Sequence, residues 1–477
     1  MILRITIPSS GDSYMKTFVI DTNVLLHFPN ALLSFDDNKV VLTDTVIEEL
    51  DNHKEDRDEK GVNARTVGRL LKKLRVKGKL SDGVKLDNGG TLITVNSNTN
   101  IDEMPAGFDI HKHDNLILKT CKELSKKDET VIFVSNDILA SVKAESFGVM
   151  AQEFQSGRAP KTDKQYTGRL SACIDDDVLV NIVADKPAKI NDINLYKYDE
   201  YIESGEKVKL TDEIYPNEFL NLKGLGGRTI LAKVDYTGEY IEKLEFDNDQ
   251  PFGLIPRNSV QKFMLEALLT DVNKIPLVIL KGPAGVAKTL CSLAAGLQHV
   301  SEEHKYRKIL LCRPAVTMGE DLGYLPGTEK EKIAPYMRSA IDNLEVLVDS
   351  SPEERYKNEE ELSDKVTDLM EHGYIDMQAI GFLRGRSIAQ QFIIVDESQN
   401  ISPAQAKAIV TRAGEDTKIV FCGDAEQVDA DYLDSTNNGL SWLAEKMKGS
   451  PLCAQVSANE NECVRSKLAE DAIKRLK

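Results

Sequence analysis

A chain of 477 residues is too long for one compact core, so two or three domains are expected. With 41% apolar and 29% charged residues, no apolar run long enough to span a membrane and no signal-peptide pattern over the first ten residues, it reads as an ordinary globular chain, cytoplasmic and without a membrane partner. The net charge of −17 excludes a protein that coats nucleic acid over its whole surface, and seven cysteines with no CxxC pair indicate neither a disulfide framework nor a zinc site.

Residues 16–150 alternate short apolar runs, at 16–20, 40–42, 92–95 and 131–134, with helical stretches at 44–54, 63–77, 115–125 and 137–147. This alternation predicts an α/β domain with a mostly parallel sheet over residues 1–155. Between Arg65 and Lys79 stand seven basic side chains and no acid, with Val67, Leu70, Leu71 and Leu74 on the apolar side of a helix. The run is either a solvated helix face or a rim for nucleic-acid phosphates. Residues 156–250 are acidic and turn-rich, built of short alternating runs such as Asp177 to Val183. The glycines of Asn221-Leu-Lys-Gly-Leu-Gly-Gly227 mark a turn, and a small β-rich connector is predicted. From residue 251 to 477 the βαβ alternation returns.

Four carboxylates of the first domain sit at strand ends or helix starts: Asp21, Glu49, Asp114 and Asp137. Strand C-termini of a parallel sheet converge on one edge, so these acids can meet there. Acids brought together repel, and divalent cations are the usual remedy; such a site orients water and stabilises a phosphoryl transition state. Taken singly, each acid is more simply a helix cap; four in this order favour the site. The same residues resemble a PIN-domain nuclease, in Asp21-Thr-Asn23, Glu49-Leu50, Asp114 and Ser135-Asn-Asp137. The resemblance implies cleavage of single-stranded RNA, with the four acids holding Mg²⁺ or Mn²⁺ and Asn23 and Ser135 in support. Glu48 is the neighbouring alternative, but the Glu-Leu-Asp context favours Glu49, with Glu48 on the other side of a helix. On this reading the basic run contacts the RNA backbone.

In the last segment the apolar run at 277–280 breaks at Gly282, Pro283, Ala284, Gly285, Val286 and Ala287, then continues through Lys288 and Thr289 into a helix-forming stretch. Strand, glycine loop, lysine, hydroxyl and helix together cradle nucleotide phosphates: loop N–H groups and Lys288 face the anion, and Thr289 offers an oxygen to Mg²⁺. Ala287 stands where glycine is usual. A second apolar strand ends in Asp396-Glu397, the first acid placed to hold Mg²⁺ and the second to polarise water. A third ends in Gly423-Asp424, where Asp424 and Gln427 either sense the γ-phosphate or cap the next element.

Residues 251–477 resemble the PhoH family of ATPases, relatives of superfamily 1 helicases, with a RecA-like P-loop NTPase fold. The resemblance is carried by Gly282 to Thr289, Arg313-Pro-Ala-Val316, Gly319-Glu-Asp-Leu-Gly-Tyr-Leu-Pro-Gly327, Phe382-Leu-Arg-Gly-Arg386, Asp396-Glu-Ser-Gln399, Thr411-Arg412, Gly423-Asp424 with Gln427, and Val464-Arg465. It implies that Gln261 contacts the adenine. It also implies that Arg412 or Arg465, with Arg384 and Arg386 as alternatives, stabilises charge at the γ-phosphate. Ala287 and Arg465-Ser466 depart from the family pattern.

The expected function is an ATP-driven RNA-processing enzyme, a PhoH-type helicase motor joined to a PIN endoribonuclease. One ATPase core supplies half of a helicase cleft, so a homo-oligomer, a hexamer, is expected to complete it. The alternative is an ATP-gated oligomeric RNA-binding switch without turnover, which Ala287 would favour.

Overall fold

The computed structural model describes residues 16–56, 59–87, 89–97, 109, 112–126, 130–154, 159–160, 164–314, 329–349, 359–380, 388–430 and 433–464. The chain divides into two units, Met1–Gly157 and Arg158–Lys477.

The first unit is built on β1 (Thr17–Ile20), β2 (Lys39–Thr43), β3 (Val84–Lys85), β4 (Thr91–Val95), β5 (Val131–Val134) and β6 (Met150–Gln152), in the order β3-β4-β2-β1-β5-β6. Every neighbouring pair is parallel except β3 with β4. Parallel strands need crossovers. These include α1 (Thr22–His27), α2 (Asp44–His53), α3 (Glu59–Arg75), α4 (His113–Ser125) and α5 (Ile138–Ser146). The central strands β1 and β5 are buried along their whole length, as strands with helices on both faces are. Val19, Phe133, Val67 and Ile117 share their core. Asn63 of α3 donates to the carbonyl of Leu26 at 2.7 Å, tying α3 to the end of α1.

The second unit begins with a sheet of its own: β7 (Arg169–Ile174), β8 (Ala188–Lys189), β9 (Leu195–Lys197), β10 (Phe219–Gly224), β11 (Thr229–Val234) and β12 (Tyr240–Lys243), ordered β8-β12-β11-β10-β7-β9. Two helices, α6 (Asp176–Val183) and α7 (Tyr198–Ser204), accompany it. The run Asp177 to Val183, expected as an alternating strand-like segment, is thus helical. Leu179 and Ile182 are buried while Val180 is exposed, a three-residue spacing that a helix buries on one side and a strand cannot. Buried and half-buried contacts bind this sheet to the C-terminal part of the unit. Lys233 Nζ lies 2.6 Å from Glu266 Oε1 with both groups buried, and Arg169 grips Glu462 with two bonds of 2.7 and 2.9 Å. The Phe219 and Phe263 rings stack at 5.1 Å.

The rest of the unit runs through α8 (Ser259–Leu269), β13 (Leu277–Lys281), α9 (Lys288–Leu297), β14 (Ile309–Arg313), α10 (Glu329–Asp349), α11 (Glu359–Glu371), β15 (Ile375–Ala379), β16 (Phe392–Val395), α12 (Pro403–Val410), β17 (Lys418–Gly423), α13 (Gly439–Lys446) and β18 (Cys453–Ser457). Its sheet, ordered β15-β14-β16-β17-β13-β18, is parallel throughout. One register therefore brings the ends of β13, β14, β16 and β17 to a single edge, where ligands of open α/β sheets bind.

Candidate functional site

At that edge the phosphate loop leaves β13 at Gly282, whose φ is 147° and where a Cβ would lie 2.9 Å from the carbonyl oxygen of Ala458. The loop closes at Ala287, with φ 71° and ψ 27°. This left-handed conformation is what glycine normally supplies. The methyl group packs against the hydrophobic core. Alanine is therefore accommodated here at a conformational cost.

Lys288 Nζ donates to the Gly282 and Pro283 carbonyls at 2.7 and 3.0 Å, so the ammonium lies within the curl of the loop. Thr289 Oγ1 donates to Asp396 Oδ1 at 2.8 Å, joining the helix start to the end of β16. Asp396 is buried, which pushes its carboxyl above the ordinary range; the Arg313 guanidinium opposes that rise and Glu397 adds to it. Arg313 Nε lies 3.2 Å from Asp396 Oδ2, and its Nη2 donates to Glu397 Oε1 at 2.7 Å. Gln399 Nε2 donates to Glu397 Oε2 at 2.7 Å and to the Gln427 carbonyl at 2.9 Å, while its Oε1 accepts from Asp424 N at 3.1 Å. Burial also raises Asp424, whose Oδ1 accepts from Glu426 N at 3.1 Å. One polar network thus connects Thr289, Asp396, Glu397, Asp424 and Gln427.

Gln261 is buried in the first turn of α8, where its Oε1 accepts from Arg257 N at 2.8 Å. Its neighbour Asn258 donates to Glu462 O at 3.0 Å, and two residues on, Val464 N donates to the Gly285 carbonyl at 3.1 Å. The segment preceding Arg465 therefore lies on the phosphate loop; Arg465, like Arg384 and Arg386, falls outside the described residues. Arg412 is not brought to the loop. The stretch after α12 pairs with Ile388, ahead of β16, and so occupies the opposite edge of the sheet. A crossover helix must return the chain to that edge before the next parallel strand can begin.

In the first unit Asp21 follows β1 and is buried, accepting from Ser135 Oγ at 2.6 Å. Burial, with the nearby Asp114 and Glu49 charges, pushes its carboxyl up to about 6 against the bond from Ser135. Glu49 takes the Thr22 hydroxyl on one oxygen and His113 Nδ1 on the other, at 2.7 Å for the latter, whereas Glu48 is exposed. Asp114 pairs with Lys143 at 3.2 Å. Asp137 caps α5 through Leu139 N at 2.7 Å, as a lone Asp before a helix would. Asn23 Oδ1 is buried without a hydrogen-bond partner. Among the described residues no three acidic, His or Cys groups are drawn close enough to hold an ion as they stand.

Sequence reasoning missed His113, Lys143, Arg313 and Gln399. The last two lie inside the motifs that begin at Arg313 and Asp396; Gln399 is two residues from the Glu397 it contacts, whereas Arg313 is 84 residues from it. Lys143 carries no local signal, because its partner is 29 residues away.

Residues 254–477 match the family described as PhoH-like protein, and residues 18–155 match the PIN domain. Protein PhoH2 of Bacillus subtilis is 39% identical over 95% of this chain and 98% of its own length. The chain belongs to the PIN–PhoH fusion family. Proteins named PhoH2 from Thermobispora bispora and Mycolicibacterium smegmatis are 29% and 30% identical, over 96% and 94% of this chain and the same shares of their own. As a PIN–PhoH fusion the chain carries a nuclease-type domain and a P-loop ATPase domain. Among its described residues no helix is long and apolar enough to cross a membrane.

Proposed function

We propose that this PIN–PhoH fusion is an ATP-dependent RNA-processing enzyme, in which the second unit is an RNA helicase motor and the first a metal-dependent endoribonuclease. One observation carries the ATPase half: Thr289, Asp396 and Glu397 lie at one sheet edge beside Lys288, with Thr289 Oγ1 on Asp396 at 2.8 Å. Lys288 and the loop N–H groups bind the phosphates, Thr289 and Asp396 would hold Mg²⁺, and Glu397 orients the attacking water. The switch reading rests on Ala287, whose methyl packs against the hydrophobic core.

The nuclease half rests on the mutual charge of Asp21, Asp114 and Glu49. These three would hold Mg²⁺ or Mn²⁺, with the Asn23 carbonyl oxygen beside them, once His113 and Lys143 release Glu49 and Asp114. The bound ion would supply an activated water and a charge opposite the cleaved phosphate. Asp137, engaged by the α5 N–H groups, positions the helix and Ser135 Oγ, which accepts from its N–H at 3.0 Å. Single-stranded RNA is the proposed substrate, with the exposed Arg69, Lys72, Lys73 and Arg75 of α3 on its phosphates. Because Arg412 stands at the far edge of its own sheet, we assign it to a neighbouring subunit's γ-phosphate, in a hexameric ring working in the cytoplasm.

Two assays test this. Phosphate release by wild type and Glu397→Gln, with and without RNA, should differ sharply; equal slow rates would sink the motor. Cleavage of single-stranded RNA with Mn²⁺ should vanish in Asp21→Asn; equal cleavage would assign the activity elsewhere. A monomeric mass in solution with ATP present would exclude the ring.

A further inference from the structure

We infer that Arg313 is a positioning residue that latches the two acids of the ATPase site, holding it at rest until a phosphate draws the guanidinium away. The inference rests on the ATPase reading above. Arg313 is the last residue of β14, which pairs with β16 so that Cys312 faces Val395 and Asp396 N donates to Cys312 O at 2.9 Å. That register delivers the guanidinium to the two residues beyond β16, and its side chain is only 15% exposed. The fork contacts both acids, at 3.2 Å on Asp396 Oδ2 and 2.7 Å on Glu397 Oε1.

The remaining oxygens are engaged as well. Asp396 Oδ1 accepts from Thr289 and Glu397 Oε2 from Gln399, at 2.8 and 2.7 Å. A carboxylate oxygen held by a guanidinium is a poorer acceptor for a water proton, and a carboxylate neutralised by one has less charge to offer a cation. In this arrangement Arg313 therefore competes with Mg²⁺ at Asp396 and with the attacking water at Glu397. Glu397 also sits at φ 51° and ψ 40°, a left-handed conformation that a non-glycine residue keeps only when its surroundings hold it. Arg313 and Gln399 are the groups that hold its side chain.

A buried guanidinium leaves two carboxylates only for an anion that fits its fork, and phosphate oxygens do. The phosphate belongs either to the nucleic acid or to ATP itself, and the experiment separates these. ATP turnover by the full-length chain would be measured across a Mg²⁺ titration, with and without poly(U), for wild type, Arg313→Ala, Arg313→Lys and Glu397→Gln.

The latch predicts that Arg313→Ala raises RNA-free turnover roughly tenfold, the scale of one lost charge-assisted contact, and lowers the Mg²⁺ concentration for half-maximal rate. If nucleic-acid phosphate is the release signal, poly(U) stimulates wild type and no longer stimulates Arg313→Ala. If the γ-phosphate is the signal, poly(U) stimulates neither and the Mg²⁺ shift remains. A shorter side chain ending in a point-like ammonium lacks the planar fork that spans both acids, so Arg313→Lys should lie between wild type and Arg313→Ala; it also decides the matter if Arg313→Ala does not fold. Turnover that falls or stays the same in the folded variants, with an unmoved Mg²⁺ dependence, overturns the latch. Failure of the ATPase reading shows separately, as wild type no faster than Glu397→Gln.

Discussion

The acids of the two units are held in different ways. In the first, Asp21, Glu49 and Asp114 lean on separate partners, Ser135, then Thr22 with His113, then Lys143, and their mutual repulsion is left standing on Asp21. In the second, Asp396 and Glu397 share one guanidinium, which opposes the effect of burial on Asp396. The lesson is that carboxylates gathered at a sheet edge can be left frustrated, which favours a cation, or pre-neutralised, which requires the neutralising group to be displaced first.

The strongest way to break this comparison is to remove one acid from each site. Glu397→Gln should cut ATP turnover by about a hundredfold or more while leaving RNA cleavage intact, as expected for loss of the group that orients water. Asp21→Asn should do the reverse. Matched steady-state assays check both, and a variant that silences both activities would show that the sites are not independent.

Next in size is the frustration itself. Asp21 sits at about 6 in place of 3.8, which corresponds to ~3 kcal/mol against the folded unit when the group is ionised. The folded state binds the extra proton between pH 3.8 and 6, so stability rises as pH falls through that window, and the full penalty applies above it. Melting of the first unit should therefore shift upward with Mn²⁺ at pH 7.5 and much less at pH 5. Asp21→Asn should stabilise the metal-free unit at neutral pH and abolish the Mn²⁺ response. A response to Mn²⁺ that is the same at both pH values would argue against frustration at this site.

Smaller is the effect of Ala287→Gly. Relief of the left-handed alanine should stabilise the second unit by about 1 kcal/mol, seen in thermal melts, with ATP turnover equal or faster. Loss of turnover would mean that the methyl group contributes more than core contact. Smallest is the basic face of α3. Lys72→Gln and Lys73→Gln should each weaken RNA binding a few-fold and lower the salt slope by about one, with ATP turnover unchanged in the absence of RNA.

The sequence marked these regions unevenly. Strands β1, β2, β4 and β5 were legible within a residue or so, because buried parallel strands are continuous apolar runs. The expected helix from Asn63 begins earlier, at Glu59, since polar first turns have no apolar period to reveal them. Asp177 to Val183 misled because its valines suit a strand, and only burial of Leu179 and Ile182 against the second sheet shows the helical spacing. Glu49 was separated from Glu48 by its local context, and the exposure of Glu48 agrees with that choice.

What the residues determined by themselves is local chemistry: a glycine loop ending in Lys288 and Thr289, apolar strands ending in Asp21 and Asp396, and a helix with one basic face. These are short-range patterns, readable because backbone geometry ties spacing to position. Only the tertiary structure decided which groups neutralise the acids. Arg313 and Glu397 are 84 residues apart, and Asp114 and Lys143 are 29 apart. Such ion pairs depend on which strands and helices become neighbours, and that is set by packing of the whole sheet.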